Sequence, residues 1–394
     1  MRNFTRISSM AVALLLVTVG LFAAGVAEAP RFTDAPRYEV WAMDQSTNII
    51  HIIEPVYAGG SVSFEVTDRI EFDDRVVRPH MIDFTSDHRY AFVANTVSGN
   101  VAIIRTADRR VIEVINTGPG THMAAVAPGD RVVHVDVIAD GTVVEINLDL
   151  ANERFTIGRT LEINRDPAVL ALADRFSQGD DGRPITRPIC HDYTADGRYA
   201  YITLGPGLGD GGLVILDTER FAVTRAFPPD EVAVNCGTIL SPDGSKMYVN
   251  GGSLEVGHWY VFDTTTHELT HSDPRNSFGY DAHGVALTPD GSELWMVNRA
   301  SSNAIIVDPS TDAVIDYVPF VGESPDILAI SPEGRFAFIT LRGPEPLSGP
   351  HAIRGASPGV AVVDVASRKL TTILLPESDL AASDFHGIGI RPLD

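Results

Sequence analysis

CGTILSPDGSKMYVN at 236–250 and HGVALTPDGSELWMVN at 283–298 are one pattern written twice. Each joins a short apolar run to a second, alternating run through a Ser/Thr-Pro-Asp-Gly turn, the signature of a β-hairpin. The pattern recurs as HMIDFTSDHRYAFVAN from His80, HMAAVAPGDRVVHVDV from His122, ICHDYTADGRYAYITL from Ile189 and DILAISPEGRFAFIT from Asp326. Further runs ending in Asp follow (GLVILDTER, WYVFDTTTH, AIIVDPSTD, VAVVDVASR), then fourth runs such as RVIEVINTG and AVIDYVPFV. Where no insertion intervenes, successive units start 42 to 47 residues apart. Four strands on that period make a propeller blade.

Six complete units lie between about residues 80 and 381, and DFHGIGIRP near the C-terminus is an inner strand without downstream partners. RYEVWAMDQSTNIIHIIEP and SVSFEVTDRI near the N-terminus supply three strands that lack an inner one. The expectation is an all-β, seven-bladed β-propeller whose closing blade is built from both chain ends, a closure that removes open sheet edges. The propeller spans 30–394 as one domain, with insertions at 161–188 and 342–359 on the face where the inner strands begin. Asp166 and Pro167 predict a short helix in the first insertion, ending before Gly179. Both insertions are expected to form a partial lid.

Residues 1–29 read as a secretory signal peptide: Arg2 and Arg6, an uncharged apolar stretch from Met10 to Gly25, and Ala27-Glu28-Ala29 before Pro30. An uncleaved N-terminal anchor is the alternative. A periplasmic or secreted location follows, with no membrane span after signal removal. Lys+Arg 30 against Asp+Glu 52, a net charge of −22, leaves few cations to build a nucleic-acid interface. Two cysteines exclude a disulfide scaffold and any four-cysteine metal site. The chain has no G-x-S-x-G, C-x-x-C or C-x-x-C-H motif, and the glycine run at 205–212 lacks the Lys and helix of a phosphate loop.

The residue six before the turn position in each unit is His80, His122, Ile189, Cys236, His283, Asp326 and His386. Seven positions drawn at random from 12 His in 394 residues would hold about 0.2 His, and this column holds four. His191, two residues after Ile189, is expected on the same strand face. The candidate metal ligands are therefore His80, His122, His191, Cys236, His283, Asp326 and His386. Imidazole-dominated sets suit transition metals, with copper favoured and iron or zinc as alternatives. Asp281 and Asp384, each two residues before a ring His, are expected to fix its tautomer, and the Gly after each of those His lets neighbouring backbones approach. Arg78, Arg187, Arg299, Arg342, Arg354 and His351 fall in connections on the same face and would suit a small anionic ligand. The competing readings are a wet rim of unmetallated His and a Cys190–Cys236 disulfide that removes Cys236 from the set. His51, His88, His134, His258, His267 and His271 read as ordinary strand and turn residues.

The segments SPDGSKMYVN, TPDGSELWMVN and GLVILDTE resemble the YVTN-type, cytochrome-d1-like seven-bladed propellers over nearly the whole mature chain. The resemblance implies the fold and leaves function open, since such propellers include enzymes, cofactor holders and binding proteins. It implies haem d1 through fold alone, and haem d1 is not the cofactor expected here. The His ring is similar in architecture to copper-containing propeller oxidoreductases such as nitrous-oxide reductase and thiocyanate dehydrogenase, although the cupredoxin domain of the former is missing. Multi-His iron in carotenoid-cleaving propellers is a further likeness. The leading expectation is an exported metalloprotein doing redox chemistry on a small molecule, with a periplasmic redox or protein partner. The alternatives are a non-catalytic module for a protein, a cell-envelope component or metal delivery, and a lactonase-like hydrolase.

Overall fold

The computed structural model describes residues 35–205, 211–234, 237–347 and 353–393. The segment 1–29 expected to be a signal peptide, Cys236 and His351 lie outside these residues, and so does any Cys190–Cys236 bond. The described residues form seven four-stranded antiparallel sheets, as the repeat predicts. Their inner strands are Pro79–Phe84, Thr121–Val126, Pro188–Tyr193, Thr238–Leu240, Ala282–Leu287, Pro325–Ile330 and Phe385–Pro392. We number the blades one to six from Pro79–Phe84 onward and call the last the closing blade. In that blade Phe385–Pro392 pairs with Tyr38–Asp44, which continues into Ile49–Ala58 and Ser61–Glu71. The ring therefore closes through both chain ends.

The repeated turn is built by side chains. Ser241 Oγ donates to Asp243 Oδ1 at 2.7 Å, Asp243 Oδ1 accepts from Ser245 N at 3.0 Å, and Ser241 Oγ accepts from Lys246 N at 2.9 Å. Gly244 takes φ +73°, where a side chain would be strained. Thr288, Asp290 and Gly291 repeat the arrangement in blade five. Between neighbouring blades the alternating strands interdigitate. One such core joins Tyr248, Trp259 and Val261 to Leu294, Met296 and Ile305, and another joins Trp295 and Val297 to Ile339 and Leu341. Burying these faces against each other stabilises the ring.

Inner strands carry a one-residue register shift at the column predicted for the site. It falls between Pro79 and Met81, Thr121 and Met123, Pro188 and His191, Ala282 and Val285, and Pro325 and Leu328. A bulge re-aims the residue within it and ends simple alternation. That single irregularity determines which side chains reach the ring.

The first insertion has a shorter helix than the sequence predicts. Asp166 caps Pro167–Leu170 by accepting from Ala168 N at 2.9 Å, and a 3-10 turn at Ala173–Arg175 follows. Ile163, Val169 and Phe176 are buried with the core of blades two and three, and Asp166 Oδ2 accepts from Val223 N on an outer strand. Its apolar side chains pull the helix onto the outer part of the blades instead of over the ring.

Candidate metal centre

Five of the column residues meet. His80 Nε2 lies 2.8 Å from His122 Nε2, and the His80 ring stacks on that of His386 with centroids 3.6 Å apart. His283 Nε2 is 2.9 Å from Asp326 Oδ1, and His386 Nε2 is 3.6 Å from Asp326 Oδ2. One ligand atom from each of His283, Asp326 and His386 falls within 4.8 Å of the others, making a possible His/Asp metal site. Neighbouring backbones must pack closely for this. A Cβ on Gly387 would collide with the His80 carbonyl oxygen, and one on Gly284 with that of Asp326. The glycines that follow the two His therefore permit the approach expected of them.

Carbonyl oxygens fix the tautomers. His122 Nδ1 contacts Ile189 O at 2.8 Å and His386 Nδ1 contacts His80 O at 3.0 Å. A carbonyl oxygen only accepts, so each Nδ1 carries the hydrogen. His80 Nδ1 lies 3.0 Å from Gln45 Oε1, whose amide is oriented by its Nε2 donating to the Asp384 carboxylate at 2.8 Å. All three imidazoles thus turn Nε2 inward. Burial pushes His80, His283 and His386 below the usual histidine pKa, His283 to about 4. Neighbouring His deepen the effect at His80, and Arg299 does so at His283. Burial favours the neutral form of these rings; the inward Nε2 of His80 and of His386 is a lone-pair donor, whereas His283 Nε2 carries its hydrogen toward Asp326 Oδ1.

Beneath them lies a wholly buried ion-pair chain. Arg299 reaches Asp281 through Nε at 2.7 Å and Asp326 through Nη1 at 3.1 Å. Arg342 Nη1 reaches Asp326 at 2.8 Å while its Nε and Nη2 hold both oxygens of Asp384 at 2.7 Å. Burial alone would raise the pKa of Asp326, but its His and Arg neighbours hold it well below the usual carboxylate range. Three carboxylates against two guanidiniums leave this chain with one net negative charge.

Several expectations are corrected here. His191 does not join the ring. The bulge between Pro188 and His191 reverses the face, and the side chain enters the wall between blades two and three, 2.7 Å from Asp136 and 3.1 Å from Tyr193 OH. Asp281 and Asp384 are held by arginines, Arg299 on one oxygen of Asp281 and Arg342 on both oxygens of Asp384, and Asp281 acts on His283 through its charge. Asp384 acts instead on His80, through Gln45. Arg299 and Arg342 are 2% and 0% exposed, so their charge serves carboxylates and not an incoming anion. Arg354 pairs with Glu345 on the surface at 3.4 Å. Arg78 donates to Leu347 O at 3.3 Å, and Arg187 lines a small cavity with Asp140 and Asp181. Gln45 could have been found from the repeat, since it opens the same four-residue turn that Thr96 opens in blade one and Arg299 in blade five.

Among the described residues no helix is long and apolar enough to cross a membrane. No family pattern and no curated protein matches the chain. Solved structures do match. The periplasmic gluconolactonase PpgL of Pseudomonas aeruginosa is 16% identical, with a TM-score of 0.65 over 91% of this chain and 100% of that one. A putative 6-phosphogluconolactonase from Bacteroides fragilis is 15% identical, with a TM-score of 0.62 over 92% and 99%. The dihydro-heme d1 dehydrogenase NirN is 14% identical, with a TM-score of 0.54 over 93% and 78%. At these identities the likeness is one of fold, and the chain is a seven-bladed β-propeller with lactonase and haem-d1 dehydrogenase structures among its neighbours.

Proposed function

We propose that the channel mouth holds a transition metal, with copper favoured, through His80, His122, His283, His386 and Asp326, for redox chemistry on a small molecule in an exported protein. The facing Nε2 atoms of His80 and His122 carry this reading. Each ring donates its Nδ1 hydrogen elsewhere, so two lone pairs point at each other across 2.8 Å. That contact is repulsive unless a cation lies between them. Two imidazoles on one metal at about 2.0 to 2.1 Å place their nitrogens about 2.8 to 3.4 Å apart. A shared proton is the alternative, and desolvation disfavours it at His80. The net negative charge of the ion-pair chain also supports a cation, and nitrogen-rich donors suit copper. A periplasmic electron partner belongs to the same reading.

The lactonase reading draws on the names of two neighbours. The donor set argues against it, since Asp326 is the one carboxylate among the five converging residues. The test is metal analysis of protein purified under native conditions, beside hydrolysis of an aldonolactone. About one equivalent or more of copper, lost in the His80→Ala, His122→Ala double variant with the fold retained, is the expected result. Protein that takes up no copper, or that hydrolyses the lactone with that double variant unimpaired, would overturn the proposal.

A further inference from the structure

The redirected His191 belongs to a second buried cluster. Tyr193, 4% exposed, has its hydroxyl 3.0 Å from His134 Nδ1 and 3.1 Å from both His191 Nε2 and Ala125 O. His134 Nε2 sits 3.5 Å from Glu145 Oε2, and Glu145 is held by Arg159 at the outer edge of the blade, Nε to Oε1 at 3.0 Å. The Glu145 carboxylate is at ion-pair distance and draws the His134 hydrogen to Nε2, which leaves Nδ1 as an acceptor, so the single phenolic hydrogen has two acceptors in reach, the Ala125 carbonyl oxygen and His134 Nδ1. On the other side, Asp136 accepts from His191 Nδ1 at 2.7 Å and favours the doubly protonated ring, which donates its Nε2 hydrogen to the phenol oxygen.

A phenol resists one-electron oxidation in an apolar interior because the product is a strongly acidic cation radical. A neutral imidazole in hydrogen-bond contact removes that obstacle by taking the proton as the electron leaves. A second imidazole donating to the same oxygen stabilises the product, and burial shields it from solvent. The strand carrying Tyr193 also carries Ile189, whose carbonyl holds His122.

We propose that Tyr193 is a redox-active tyrosine that gives one electron to a high-potential metal centre while its phenolic proton passes to His134 Nδ1. The O–H bond breaks, an N–H bond forms, the metal is reduced by one electron, and a neutral tyrosyl radical remains, stabilised by His191. That the oxidant in the cell is the channel-mouth metal rests on the function proposed above; the chemistry of the Tyr–His pair can be tested apart from it.

The test oxidises the metal-free full-length protein with hexachloroiridate and reads the product by electron paramagnetic resonance. Wild type should give a tyrosyl signal that is lost in Tyr193→Phe, reduced in His134→Phe, and retained in Tyr201→Phe, which removes the phenol beside His267. The His80→Ala, His122→Ala variant should keep the signal, so a failed metal site and a failed radical site are told apart. Placing 3-fluorotyrosine at position 193 should add fluorine splitting, which settles the assignment if Tyr193→Phe does not fold. No radical in wild type, or an unchanged one in Tyr193→Phe or the fluorinated protein, overturns the proposal.

Discussion

Arg342 joins Asp326 to Asp384, touching the first with Nη1 at 2.8 Å and both oxygens of the second with Nε and Nη2 at 2.7 Å, and all three side chains are completely buried. Burial works against the guanidinium charge, but the two carboxylates outweigh it and hold the Arg342 pKa above its ordinary value. Asp326 is the carboxylate of the candidate metal centre, so one buried cation sets its position while another, Arg299, steadies its second oxygen.

Removing that cation leaves buried Asp384 with neutral donors alone and Asp326 with Arg299 as its one guanidinium partner. Arg342→Met should cost about 3 to 5 kcal/mol in urea unfolding, with Arg342→Lys costing less because it keeps the charge and loses the paired geometry. A loss below about 1 kcal/mol for the Met variant would contradict a buried, compensated network.

Gly387 allows the closing blade to approach blade one closely enough for His386 to stack on His80. Gly387→Ala should destabilise by about 1 to 3 kcal/mol, since the added methyl meets backbone that cannot swing away. It should also weaken copper binding, because the two imidazoles separate. Wild-type copper affinity in a folded Gly387→Ala protein would refute the link between close packing and the site.

Glu145 gives a pH signature. Burial raises its pKa, but His134 and Arg159 prevail and bring it from 4.5 down to about 2. A carboxyl depressed in the folded state stabilises fully above its unfolded pKa, and the stabilisation fades as pH falls through the folded one. The stability gap between wild type and Glu145→Gln should therefore be roughly 2 to 3 kcal/mol near pH 7 and close between about pH 4.5 and 2. A gap that stays constant across that window would mean Glu145 is not held ionised by these neighbours.

The fold was legible because the turn chemistry recurs: Thr85 with Asp87, Thr194 with Asp196, Ser241 with Asp243 and Thr288 with Asp290 make the same hydroxyl-to-carboxylate bond in four of the blades. The His column was legible for the same reason. What escaped lies where periodicity stops carrying information. His191 was placed by the two-residue rule of a regular strand, and the bulge between Pro188 and His191 cancels that rule. Arg299 and Arg342 looked like mouth cations because a sequence does not reveal which acids face them; Asp326 and Asp384 are 16 and 42 residues away from Arg342. His134 looked like an ordinary strand residue, since its Tyr193 partner sits 59 residues on, in the next blade.

His191 and His122 separate the two clusters experimentally. They lie on neighbouring inner strands, and His122 Nδ1 bonds a carbonyl only two residues before His191. Yet His122 turns its other nitrogen to His80, while both nitrogens of His191 are engaged by Asp136 and Tyr193. His122→Ala should abolish or sharply reduce copper uptake and change stability by less than about 2 kcal/mol, because the ring edge it leaves is polar and partly open. His191→Gln should do the reverse: it strips the buried Asp136 carboxylate of its charged partner, at about 3 to 5 kcal/mol, and leaves copper stoichiometry as in wild type. Copper titration and urea unfolding on both variants decide the matter. If His191→Gln loses copper while remaining folded, the wall cluster and the ring are one site, and the division of labour argued from the bulge is wrong.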